Sequence, residues 1–285
     1  MLRLLKILPQ YLLPQHTLSA CMYRLARLRY PPLKDRMIRA FIRLYNVDMS
    51  EADETDSTEF ADFNSFFTRE LKPDARPLDN SADALLSPVD GRVSQSGHIR
   101  EGCLLQAKGI KYSALELLGN DPDAALRFSK GAFMTLYLAP RDYHRVHMPV
   151  AGTLEKMAYV PGKLFSVNPV TTENVSRLFA RNERVISLFN TFHGRMAVIM
   201  VGAIFVGSME TVWAGQVTPA RDRSPGAWTY DHLQDPVTLD KGEEMGRFNM
   251  GSTVILLFEK DRVQWLETLK PGERVKMGEK IGIFV

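Results

Sequence analysis

The chain has 285 residues, of which 45% are hydrophobic and 24% are charged, the composition of an ordinary globular protein. Its formal charge of +3 is too small to suggest nucleic-acid binding through the whole surface. Its two cysteines, Cys21 and Cys103, do not form a disulfide framework pattern and favour a reducing compartment. We expect neither a cleavable signal sequence nor a membrane-spanning helix, since no apolar run approaches the ~20 residues that such a helix needs.

The first 50 residues are basic and amphipathic. They contain nine Lys or Arg against two acids, and apolar residues recur among them at helical spacing. The prolines Pro9, Pro14, Pro31 and Pro32 predict a division into two or three short helices. Basic amphipathic helices can lie in a membrane interface, or they can pack on the rest of the protein with their charges in water. The pattern alone leaves both possibilities open.

From about Lys72 onward, short strand-like runs alternate with Gly, Pro and Asp turns. Among these runs are FMTLYLAP, MAVIMVGAIFVG and GSTVILLFEK. Many short strands with regular turn signals predict a sandwich or barrel-like β body. The predicted fold class is therefore α+β, with a β-rich, sandwich or barrel-like core over residues 72–285 that follows short basic amphipathic helices in residues 1–71.

Serine, histidine and aspartate, which together can form an activated hydroxyl nucleophile, occur in short motifs. Ser252 follows Gly251 at the start of the run TVILLF, His144 and His147 lie in PRDYHRVHMP, and Asp90 lies in SPVDGRV. A serine can be activated by a base that takes its proton and an acid that orients the base. Each motif also has a purely structural interpretation. Gly251-Ser252 could be the turn before a strand, the histidines could be buried and bonded to backbone groups, and Asp90 could cap a turn.

The histidine pair His144 and His147 could also bind a metal ion. Further ligands are not evident, because the sequence has no cysteine cluster and no HExxH helix. On a regular strand, residues three apart point to opposite faces, so joint ligation would need a bend. We therefore expect no metal site.

Several stretches resemble the bacterial phosphatidylserine decarboxylase family. Nearly the whole chain is covered, and the motifs recur in the family's order. The stretches are FNSFFTREL, SPVDGRVSQ, YLAPRDYHRVHMP, VPGKLFSVNP, FARNERV, ETVWAG and MGSTVILLF. The family's usual Leu-Gly-Ser-Thr has Met250 in place of leucine here. Because the two side chains are similar in volume and polarity, we expect this change to be tolerated.

This resemblance implies that the chain makes its own cofactor, a covalent pyruvoyl group. Ser252 Oγ would attack the carbonyl of Gly251, and β-elimination from the resulting ester would split the chain into a large fragment, 1–251, and a small one, 252–285. Tautomerisation and loss of ammonia would leave the pyruvoyl group at position 252. His147 is implied as the base that takes the hydroxyl proton, and Asp90 as the acid that orients His147.

The resemblance also implies the reaction and its setting. The amine of phosphatidylserine would form a Schiff base with the pyruvoyl carbonyl, CO2 would leave, and hydrolysis would release phosphatidylethanolamine. His144 is the candidate for acid–base work in this step, and Phe165 and Ser166 are candidates for substrate contact. Residues 1–71 would associate with the anionic membrane surface. The expected protein is peripheral, on the cytoplasmic face of a bacterial inner membrane, with its two fragments paired as a heterodimer and a homodimer as its assembly.

Two other functions remain open at this point. A serine hydrolase would use Ser252, His147 and Asp90 without cleaving itself, although a G-x-S-x-G elbow is missing. A non-catalytic carrier is suggested by LKPGERVKMGEKIGIFV, which resembles part of the biotinyl and lipoyl domains, although their lysine-bearing hairpin tip is not evident. Whether Ser252 stays intact distinguishes these functions from a self-cleaving decarboxylase.

Overall fold

The computed structural model describes residues 2–205, 208–220, 222–250 and 253–285, which form the predicted α+β fold. The helices are α1 (Leu2–Leu12), α2 (Gln15–Ala26), α3 (Pro31–Tyr45), α4 (Phe63–Phe67), α5 (Ala114–Leu117), α6 (Pro122–Phe128), α7 (Pro169–Thr172) and α8 (Leu178–Arg181), with a 3-10 turn at Ala107–Gly109. The strands are β1 (Ala84–Leu86), β2 (Gly91–His98), β3 (Cys103–Leu105), β4 (Lys111–Ser113), β5 (Ala132–Tyr137), β6 (Arg145–His147), β7 (Gly152–Val160), β8 (Arg184–Thr191), β9 (Gly194–Val201), β10 (Met209–Thr211), β11 (Gly215–Thr218), β12 (Gly226–Thr229), β13 (Thr238–Leu239), β14 (Glu244–Phe248), β15 (Thr253–Phe258), β16 (Val263–Trp265), β17 (Arg274–Val275) and β18 (Lys280–Phe284).

The described strands pair antiparallel in four sheets. The largest sheet has nine strands in the order β12-β7-β8-β9-β15-β5-β2-β17, with β13 paired to β7. A four-stranded sheet has the order β11-β10-β14-β6, a three-stranded sheet the order β1-β18-β16, and β3 pairs with β4. The sheets are open, and the strands that the structure describes form no closed barrel.

Strand β15 lies inside the largest sheet, between β9 and β5. Its sequence TVILLF is buried along its whole length, which explains why it is apolar on both faces rather than alternating. Strand β14 belongs to the four-stranded sheet, and only residues 249–252 separate it from β15. The chain therefore passes from one sheet to the other at the predicted cleavage site.

The amphipathic beginning of the chain forms three helices, as its prolines predict. Pro14 separates α1 from α2 and Pro31 opens α3, whereas Pro9 lies inside α1. These helices pack on the body. The side chain of Gln15 accepts a hydrogen bond from Leu164 N (2.8 Å), and α3 joins a phenylalanine cluster around α4. Within the described ranges, no helix has the length and apolar character needed to cross a bilayer.

Candidate active site

The predicted cleavage site is flanked by backbone strain and by a buried hydroxyl group. Gly251 and Ser252 lie outside the described residues, but their neighbours Met250 and Thr253 are described. Met250 has a φ of +121°, a conformation that costs an L residue of order 1–3 kcal/mol. Thr253 is buried at the start of β15, and its Oγ1 has no hydrogen-bond partner among the described residues.

Asn249 anchors the segment that leads to this site. Its Nδ2 donates hydrogen bonds to Ser208 Oγ (2.8 Å) and to Glu210 Oε1 (2.6 Å), while its Oδ1 accepts one from Asn64 Nδ2 (2.9 Å). The partners come from β10, from the residue just before it and from α4. A buried amide with three such partners fixes the chain just before the strained residue.

His147 lies on β6, and both of its ring nitrogens have partners. Its backbone N–H donates to the carbonyl of Pro88 (2.8 Å). Nδ1 lies 2.9 Å from the carbonyl oxygen of Gly242, and Nε2 lies 3.0 Å from the hydroxyl of Tyr143. Burial lowers the pKa of His147 below its ordinary value. The ring is therefore neutral near pH 7 and can accept a proton.

Asp90 is buried and forms an ion pair with Arg76. The guanidinium donates from Nε to Asp90 Oδ1 (2.8 Å) and from Nη2 to Oδ2, while Asp90 Oδ1 also accepts the Met277 backbone N–H (2.9 Å). Arg76 donates in addition to Glu51 (2.7 Å), and Arg76, together with Lys276, lowers the pKa of that carboxyl to about 2. A guanidinium that bridges two carboxylates in this way holds both rigidly.

No hydrogen bond joins Asp90, the acid expected to orient His147, to the His147 ring. The two parallel donors of Arg76 match the two oxygens of Asp90, and the Gly242 carbonyl occupies Nδ1 of His147. The two residues are still close, because His147 bonds to Pro88, two positions before Asp90. Burial is the main cause of the lowered pKa of His147, and the negative charge of Asp90 opposes it only weakly.

His144 is fully buried and immediately precedes β6, the strand that carries His147. Its ring lies against Phe67, with 4.0 Å between ring centroids, and its carbonyl accepts the backbone N–H of Phe248 at the end of β14 (3.0 Å). Burial, followed by the positive charge of Arg69, lowers the pKa of His144 to about 3, so the ring is neutral near pH 7. In the part of the chain that is described, no cluster of three His, Cys, Asp or Glu side chains could hold a metal ion.

A cavity of about 160 Å³, lined mostly by apolar residues, lies beside Met250. Ser166, one of the two predicted substrate contacts, lines it together with Met250 and with Tyr137, which pairs with Thr253 in the sheet. The remaining lining residues are Phe41, Tyr45, Phe67, Leu138, Pro140, Val167, Asn168, Ala203, Ile204 and Phe205. The cavity thus extends from α3 to Met250, the residue before Gly251.

Phe165, the other predicted contact, faces the N-terminal helices instead. Its ring packs edge-on against Tyr11 (5.1 Å between centroids) and beneath Arg181 (4.7 Å). Asn182 holds its backbone through two hydrogen bonds. The structure therefore brings Ser166, but not Phe165, to the cavity beside Met250.

Sequence reasoning missed three groups that hold the candidate site together. Tyr143 lies in the stretch YHRVH, four residues before His147, so its place in a singled-out motif was a usable signal. The only sequence signal at Arg76 was a single basic residue before a proline, which does not indicate a partner. Gly242 offered no side-chain signal, because it contributes a carbonyl group from a turn in which its φ of +83° suits glycine.

Comparisons with known proteins match nearly the whole chain to one family. A family model described as phosphatidylserine decarboxylase matches residues 63–283, and a second model, described as PSD, matches residues 5–46. A phosphatidylserine decarboxylase proenzyme of Azotobacter vinelandii is 55% identical over 97% of this chain and 96% of its own length. Proenzymes of the same name are 54% identical in Stutzerimonas stutzeri, over 97% of this chain and 93% of that protein, and in Bordetella pertussis, over 96% and 92%.

Proposed function

Because the chain belongs to the phosphatidylserine decarboxylase family, its reaction is the decarboxylation of phosphatidylserine to phosphatidylethanolamine, and we propose that it depends on a pyruvoyl group made from Ser252. One observation carries the proposal. A strained Met250 leads from a firmly anchored Asn249 to the predicted cleavage site, at the edge of an apolar cavity. Strained backbone of this kind clusters at functional sites, where the strain can be part of the mechanism.

In the proposed self-cleavage, Ser252 Oγ attacks the carbonyl carbon of Gly251. His147 Nε2 takes the hydroxyl proton, and the peptide C–N bond breaks as an ester forms and the Ser252 amine is released. Removal of the Ser252 α-proton then expels the carboxylate of Gly251, and tautomerisation and hydrolysis of the remaining group release ammonia. Asp90 supports the protonated His147 through its charge rather than through a hydrogen bond.

The two fragments, 1–251 and 252–285, are expected to stay together as a heterodimer. Strand β15 belongs to the small fragment and lies between β9 and β5 of the large one. Two further strands of the small fragment, β17 and β18, pair with β2 and β1. The resemblance to the family leads us to propose a homodimer of this unit as well.

A pyruvoyl group supplies a carbonyl that accepts the electrons released when a carboxylate departs as CO2. The residues present fit such a group, because the cavity beside Met250 is lined mostly by apolar side chains, which favour the loss of charge from a reacting carboxylate. His144 is our candidate for acid–base work, since its buried, neutral ring lies next to the end of β14. Ser166 is our candidate for contact with the substrate headgroup.

We infer that helices α1–α3 meet the membrane surface. Ten of the twenty exposed large hydrophobic side chains in the described residues lie between Leu8 and Tyr45, which is too strong a concentration for scattered surface positions. Basic residues lie among them and suit an anionic lipid surface. Phe41 and Tyr45 of α3 line the cavity, so a lipid substrate would reach it from the bilayer side. We propose a peripheral protein on the cytoplasmic face of a bacterial inner membrane.

The function is tested with the wild-type protein and vesicles that contain phosphatidylserine. We expect phosphatidylethanolamine and CO2 in equal amounts, measured by mass spectrometry of the lipids and by trapping of the gas. A serine hydrolase would instead release a fatty acid or a headgroup fragment without CO2. That product pattern, or no turnover at all, would contradict the proposal.

The membrane contact is tested with the double variant Leu12→Gln/Leu44→Gln. Both side chains are about three-quarters exposed, at 75% and 76%, so the protein should fold normally. Each leucine contributes roughly 1.5–3 kcal/mol when it is fully buried in an apolar phase. We therefore expect roughly a tenfold or greater loss of vesicle binding and of vesicle turnover.

The matched control is Leu126→Gln on α6, whose side chain is also 75% exposed. It should leave vesicle binding unchanged. Phosphatidylserine with short acyl chains, dispersed in detergent, should be decarboxylated equally by all three proteins. Equal losses in the double variant and in the control would argue against a membrane contact through α1 and α3.

A further inference from the structure

The phenol of Tyr143 contacts the nitrogen of His147 that must accept a proton. The carbonyl of Gly242, 2.9 Å from Nδ1, can only accept a hydrogen bond, so Nδ1 carries the proton of the neutral ring. The lone pair therefore lies on Nε2, and the Tyr143 hydroxyl, 3.0 Å away, donates to it. The ring of His147 is held at both nitrogens.

Burial keeps both partners in the protonation states that this contact requires. Tyr143 is 6% exposed and His147 is 9% exposed. Burial raises the pKa of Tyr143, so the phenol keeps its proton, and lowers the pKa of His147, so the imidazole stays neutral. The charged groups that face the pair are Arg145, Glu244, Asp90 and Glu70. Both signs are present among them, and Arg145 pairs with Glu244 (2.8 Å).

We propose that Tyr143 is a positioning residue for self-cleavage, whose hydroxyl acts with the Gly242 carbonyl to fix the tautomer and the orientation of the His147 ring. In a serine–histidine–aspartate set, this task belongs to the carboxylate. Here Asp90 is paired with Arg76, and the task falls to a phenol and a backbone carbonyl. The inference rests on the proposed cleavage between Gly251 and Ser252.

The contact has a consequence for the pH dependence of cleavage. A donor on Nε2 stabilises the neutral ring and lowers its pKa. When the Ser252 proton arrives, the phenol hydrogen bond must open and the proton moves to Nε2. Removing the hydroxyl raises the pKa of His147 towards its ordinary value, and it also leaves the ring without one of its two restraints. As the solution is acidified, the cleavage rate of the variant without the hydroxyl therefore begins to fall at a higher pH than that of the wild type.

The test is the rate of chain cleavage in freshly synthesised, full-length protein, from about pH 5 to about pH 8. Tyr143→Phe is expected to cleave about tenfold more slowly or worse, and the acidic limb of its pH profile is expected to move to higher pH. Tyr112→Phe is the control, because Tyr112 is a buried tyrosine on β4 outside the site. It should cleave like the wild type at every pH.

The possible outcomes separate the two proposals. If the wild type does not cleave, the proposed function fails, whatever Tyr143 does. If the wild type cleaves and Tyr143→Phe is as fast or faster, or is slower with an unmoved acidic limb, the positioning role is overturned.

A second measurement does not depend on the folding of Tyr143→Phe. Nitrogen-15 spectra of the histidine rings in Ser252→Ala should show His147 with its proton on Nδ1 near pH 7. A proton on Nε2 would overturn the proposal, because the phenol could not then donate to that nitrogen.

Discussion

Ser252→Ala is expected to remain one chain of 285 residues and to form no phosphatidylethanolamine. Alanine has no hydroxyl group with which to attack the Gly251 carbonyl, and no oxygen that can leave by β-elimination, so neither half of the proposed cleavage can occur. The expected effect is a complete loss of both cleavage and decarboxylation. Few other single changes in this chain should abolish both without altering the fold, because the side chain loses only one oxygen atom.

Denaturing mass spectrometry provides the measurement. The wild type should appear as fragments 1–251 and 252–285, the smaller of which begins with a group that has the mass and carbonyl reactivity of pyruvoyl. Ser187→Ala is the control, since Ser187 is a buried serine on β8 outside the site, and it should cleave like the wild type. An intact wild-type chain after long incubation would return Ser252 to the role of a hydrolase nucleophile or a turn residue.

The sequence predicted the elements of the fold better than their pairing. The run TVILLF indicated a strand, and Pro14 and Pro31 indicated where helices end and begin, because these signals are local. The position of β15 between β9 and β5 could not be read from the sequence, since the partners lie far away in the chain and a strand's own pattern does not identify its neighbours. The open form of the sheets likewise depends on non-local pairing.

The candidate site was predictable in its residue types but not in its contacts. The motifs around Asp90, His144 and His147 identified groups that could move protons. They could not reveal that Arg76 would form an ion pair with Asp90, because nothing in the sequence near either residue requires that pair. The strain at Met250 was also hidden, since the sequence change from leucine to methionine carries no backbone information.

The ion pair of Arg76 is the feature of the site for which we expect the largest effect on stability. Replacing Arg76 by Met should lower the free energy of unfolding by about 3 kcal/mol, because Asp90 would remain buried without its counter-charge. Urea unfolding of the Ser252→Ala chain, which should not split, gives this value. Arg177→Met is the control. The pair of Arg177 with Glu116 is exposed, so its loss should cost less than about 1 kcal/mol.

A double variant separates the ion pair from simple packing. Adding Asp90→Asn to Arg76→Met removes the isolated charge and should recover about 1–2 kcal/mol, whereas equal stability of the single and double variants would contradict a charge effect. The pH dependence gives a further test through Glu51, whose pKa is lowered from 4.5 to about 2, mainly by Arg76 and to a smaller extent by Lys276. This stabilisation is fully present above pH 4.5 and is lost as the pH falls towards about 2. The difference in unfolding free energy between the parent chain and Arg76→Met should therefore become smaller as the pH falls over that interval, because protonated Glu51 no longer attracts the guanidinium.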